Sequence, residues 1–147
     1  MKADPLNLVL EKKHKLTNKS YFVTGNEISL IEKTKDILIK NISEQGLFTL
    51  EKIKNLSFKK NDVGLFNNNY LYVINDVSSV DDVLLDNISS SNDVYIFYCE
   101  NSPKTKLKKN IFAKRPDSIL FECYSMSKTS KIKVINKYIN EFEIKID

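Results

Sequence analysis

Apolar residues along this chain fall into two alternating rhythms. Short runs rich in β-branched and aromatic side chains recur at residues 21–23, 48–53, 70–74, 94–98 and 119–123, which predicts five strands. Two of them, Leu71-Tyr72-Val73-Ile74 and Val94-Tyr95-Ile96-Phe97-Tyr98, show no alternation of polar and apolar residues. Strands covered by helices on both faces read this way, so the pattern predicts a parallel sheet in a three-layer domain.

Between the strands the period changes to that of helices. Ile28, Ile31, Leu38 and Ile42 share one predicted helix face, with Glu32, Lys33, Lys35 and Asp36 largely on the other and Gly46 as the stop. Val80, Val83, Leu84 and Ile88 predict a shorter helix capped by Ser78 or Ser79. Pro103 is placed as the first residue of a third helix carrying Leu107, Ile111 and Phe112, and Ser127 starts the last one, which runs from 128 to 142. Residues 5–15 predict one more helix before the first strand. Strands and helices alternating at these lengths specify a doubly wound α/β domain. One stretch, residues 56–69, stands outside the rhythm, and connections that long carry function or disorder more often than short ones. It contains Leu65 and Phe66, two large apolar side chains between Lys59-Lys60 and Asn67-Asn68-Asn69. Such a pair either tucks into its own core or docks into a partner.

A chain of 147 residues is read as a single domain, able to bury roughly two thirds of the surface its unfolded form exposes. Cys99 and Cys123 form no Cys-x-x-Cys pair and His14 is the single histidine, so no metal site is expected and both thiols are read as reduced. Neither a membrane span nor an export signal is apparent, which points to a cytoplasmic protein. Charge is uneven: residues 1–101 hold 12 basic and 14 acidic side chains, whereas 102–147 hold 11 and 5. The basic set comprises Lys104, Lys106, Lys108, Lys109, Lys114 and Arg115, then Lys128, Lys131, Lys133 and Lys137 on the next helix. Together they are candidates for a phosphate-facing surface, and hence for a nucleic-acid-binding adaptor.

Ligands of a parallel α/β sheet bind at the carboxyl ends of its strands. The turn after the first strand, Thr24-Gly25-Asn26-Glu27, holds the position of a phosphate loop. With three glycines in the whole chain and no lysine in that turn, neither a P-loop nor a dinucleotide turn can be assembled, and Glu27 places a carboxylate where phosphate would sit. Gly25, Asn26 and Glu27 are therefore read as a degenerate phosphate loop, and no cofactor is expected. Asp76 is read as the cap of a turn rather than a magnesium ligand. A nucleotide-binding α/β enzyme remains the catalytic alternative. A phosphoacceptor receiver domain shares the length and alternation, but it needs acidic residues directly after the first strand and a lysine after the fifth.

Tyr21-Phe22-Val23-Thr24-Gly25-Asn26-Glu27 with Leu30-Ile31-Glu32 resembles the opening strand and helix of the delta subunit of the bacterial DNA polymerase III clamp loader. Gly64-Leu65-Phe66 ahead of the strand at 70–74 matches a second element of that family, a small residue followed by Leu-Phe. A strand ending near Glu100, a helix from Pro103, Leu120-Phe121-Glu122-Cys123 and a final helix complete the order. The resemblance implies an AAA+-like, P-loop-NTPase-type fold of five parallel strands without a functional P-loop. It implies that Leu65 and Phe66, flanked by Gly64 and Asn67, enter a hydrophobic cleft on the β sliding clamp and help open it. It further implies no ATP hydrolysis by this subunit, a role in DNA-directed DNA polymerase (nucleotidyltransferase) activity only as part of the assembly, other loader subunits as partners, and indirect contact with DNA. Residues 1–147 correspond to the family's first module, without its lid and collar domains.

Overall fold

The computed structural model describes residues 1–11, 16–54 and 69–143. The elements run β1 (Lys2–Ala3), α1 (Pro5–Leu10), β2 (Ser20–Gly25), α2 (Ile28–Gln45), β3 (Phe48–Ile53), β4 (Asn69–Ile74), α3 (Asp82–Ser89), β5 (Val94–Glu100), α4 (Thr105–Lys114), β6 (Ser118–Cys123) and α5 (Lys128–Glu143). All strand pairings are parallel, in one sheet of order β1-β6-β2-β5-β4-β3. The architecture is α/β with helices on both faces of the sheet.

Successive strand side chains point to opposite faces, and here each face has its own core. Tyr21, Val23, Leu71, Val73, Ile96, Ile119 and Phe121 pack beneath α1 and α2, meeting Leu8, Leu38 and Ile42, with Val134 of α5 at the margin. Phe22, Tyr72, Ile74, Tyr95, Phe97 and Leu120 face the other way, against Leu85, Ile88 and Phe112 of α3 and α4. The Phe112 ring sits 5.2 Å from that of Phe22 and 6.0 Å from that of Phe97. Connections that cross a sheet in opposite directions place their helices on opposite faces when each crossover is right-handed. The connection after β2 runs toward β3, whereas those after β4 and β5 run back toward β6, which accounts for the division of the helices.

Among the described residues the sheet has six strands where five were expected. The extra strand is two residues long and has no propensity signal of its own; pairing Lys2 with Leu120 and Ala3 with Phe121 creates it. The Met1 ammonium fixes its start by donating to the carbonyls of Phe112, Arg115 and Ser118 at 2.7, 2.7 and 2.9 Å. Helix α1 ends at Leu10, earlier than the expected 5–15, and residues 12–15 lie outside the described part. Helix α3 starts after Asp81, whose carboxylate accepts from the Leu84 amide at 2.8 Å, rather than after Ser78 or Ser79. Ser78 is already engaged by Asp76 in the preceding turn. Pro103 likewise precedes α4 instead of opening it, because Ser102 and Thr105 close a turn of their own first. Three residues assigned to apolar helix faces, Ile28, Val83 and Leu107, are 54%, 68% and 73% exposed.

Counting the five long strands in chain order, the sheet reads 5-1-4-3-2. A receiver domain has the order 2-1-3-4-5. The receiver alternative is thereby removed.

Candidate functional site

The direction of crossover reverses between β2 and β5, so the carboxyl ends of these two strands form the topological switch point where such sheets hold ligands. Gly25, Asn26 and Glu27 lie on one side of it and Glu100, Asn101 and Ser102 on the other. The amides of Asn26 and Glu27 both donate to the Cys123 carbonyl, at 3.0 and 3.1 Å. The Asn101 amide donates to the Gly25 carbonyl at 2.8 Å, and the Thr24 hydroxyl to the Asn101 side-chain oxygen at 3.3 Å. Three strand ends are thus stitched to one another. The amides that a phosphate loop would aim at an anion are engaged within the protein.

Gly25 shows why glycine is required there. Its φ is +146°, and a Cβ would stand 2.0 Å from the Cys123 carbonyl oxygen, so the turn lies directly on the end of β6. This glycine serves a backbone-to-backbone contact. Glu27 occupies the N-cap of α2 without a side-chain hydrogen bond to the helix, leaving its carboxylate at the positive end of the helix dipole. The turn at 25–27 has the position of a phosphate loop and none of its open donors.

The neighbouring groups carry structural roles. Asp76 accepts from the Ser78 amide at 3.1 Å and the Ser78 hydroxyl at 2.5 Å. Burial pushes its pKa up, but the bonds from Ser78 and Val77 and the charge of Lys104 outweigh that and hold the carboxyl below its usual range. It caps a turn, as its position after β4 suggested. Burial raises the thiols of Cys99 and Cys123 to about 11, opposed by hydrogen bonds to Thr24 and Thr34 respectively, so both stay protonated near neutrality and are poor nucleophiles. Both are free cysteines. Among the described residues no group of three His, Cys, Asp or Glu side chains could hold a metal ion, and no helix is long and apolar enough to cross a membrane.

Lys35 belongs on the buried side of α2, not on the polar side where the sequence reading put it. Only 8% exposed, it pairs with Glu32 at 2.5 Å and lies 4.7 Å above the Tyr98 ring. Burial opposes its charge, while the bond to Glu32 and the nearby Glu32, Tyr98 and Asp36 favour it more strongly and raise its pKa. It fastens α2 over β5. A groove of about 530 Å³ between α1, α2 and α5 is lined in part by Lys33, Asp36, Lys40, Lys137 and Tyr138. Lys33 stacks on Tyr138 and Lys137 donates to the Val9 carbonyl, so two of these cations brace the helices.

The basic last third does not form one surface. Helix α4 packs on one face of the sheet and α5 on the other. Within α4, Lys108 donates to the Val80 carbonyl, Lys109 lies 3.8 Å from Glu122, and the adjoining Arg115 is held by Asp82, Asp86 and Asp117. This separation argues against one continuous phosphate-facing surface, which the sequence offered as a candidate.

Gly64, Leu65, Phe66 and Asn67 lie outside the described residues. Both ends of their segment are fixed: Ile53 pairs with Ile74 where it leaves β3, and Phe48 pairs with Asn69 where it enters β4. Strands β3 and β4 are parallel neighbours, and a parallel connection needs a crossover of roughly a dozen residues or more. The segment's length is what this topology demands, so length alone is no sign of function. Its claim to a role rests on the apolar pair itself. Compared with known protein families and with curated proteins, the chain matches none.

Proposed function

We propose that this domain is a non-hydrolysing, AAA+-like module of a clamp-loader delta subunit, which binds the β sliding clamp through Leu65 and Phe66 and favours its open form. The observation that carries the reading is the closed turn at the switch point: the Asn26 and Glu27 amides rest on the Cys123 carbonyl, where a nucleotide-using relative would need them for phosphate. The residue pattern from Tyr21 to Glu32 and the Gly64-Leu65-Phe66 triplet supply the family. On this reading the domain works in the cytoplasm, contacts DNA only through its assembly and has no catalytic residues of its own.

Fully burying a Leu and a Phe contributes roughly 3 to 6 kcal/mol, while association costs 4 to 15. The pair is an anchor, and Lys59, Lys60 and Asn67 to its sides supply part of a rim. Clamp opening then follows from tighter binding to the open form, a population shift that needs no ATP. Calorimetric titration of the domain with a bacterial β clamp, run with and without Mg-ATP, tests the reading. Clamp binding that is indifferent to Mg-ATP is expected. Micromolar binding of Mg-ATP by the domain alone would restore the nucleotide-enzyme alternative and overturn this one.

A further inference from the structure

We draw no further inference here: the strongest candidate, the Met1 ammonium held by the Phe112, Arg115 and Ser118 carbonyls at the carboxyl end of α4, is a latch on β1 only in a chain whose first residue is Met1, and nothing in the structure shows that the protein begins there.

Discussion

Strand β2 buries all six of its residues, whereas β3, at the sheet edge, buries none of its six. The first lies between two parallel neighbours and beneath helices on both faces; the second pairs only with β4 among the described strands. The difference separates what holds this domain together from what is left to touch other molecules. At the centre, two-sided packing brings the ends of β2, β5 and β6 so close that the turn at Gly25 rests on Cys123, and the crevice where such folds hold ligands is stitched shut.

Substitutions that move one region toward the character of the other sharpen the contrast. Gly25→Ala should have the largest effect, because the new Cβ meets the Cys123 carbonyl and the positive φ cannot relax. A loss of at least about 4 kcal/mol in urea denaturation is expected, an exceptional value for one methyl group. A loss below 1 kcal/mol would show that the turn can lift from β6, and with it that the crevice can open. Phe112→Ala, which empties the space between Phe22 and Phe97, should cost about 3 to 5 kcal/mol.

An intermediate effect belongs to the clip between α3 and α4. The bond from Arg115 chiefly, and that from Ser89, hold the Asp117 carboxyl down at about 2. Folded Asp117 therefore releases its proton more readily than unfolded Asp117, so its contribution is complete above about pH 4 and disappears as pH falls toward 2. Its carboxylate is 37% exposed, so solvent screening limits the effect to about 1 kcal/mol. Arg115→Met should flatten this part of the stability profile between pH 4 and 2. An unchanged slope would contradict the assignment. Smallest of all, Leu50→Ala on the exposed edge strand should stay within about 0.5 kcal/mol of wild type. A cost equal to that of Phe112→Ala would erase the distinction between centre and edge.

How much of this was legible depends on whether the cause was local. The strands at 71–74 and 94–98 announced a parallel, doubly covered sheet because two-sided burial demands continuous apolar runs. Asp76 was recognisable as a turn cap because its partner is two residues away. Strand β1 was invisible, since it exists only through pairing with β6, more than a hundred residues later. The Cys123 carbonyl could not be identified as the acceptor of two amides for the same reason. Lys35 is different. It follows Ile31 by four residues and precedes Leu38 by three, so its spacing placed it on the buried face and only its charge argued otherwise. The length of the segment before β4 was informative only once β3 and β4 were known to be parallel neighbours, and then it pointed to a crossover.

The most direct test compares wild-type chain and a Leu65→Ala, Phe66→Ala double variant for equilibrium binding to an immobilised bacterial β clamp. Loss of affinity by roughly a hundredfold or more is expected, with the melting transition of the domain unchanged. Undiminished binding by the double variant, or no binding by wild type at any accessible concentration, would contradict the account.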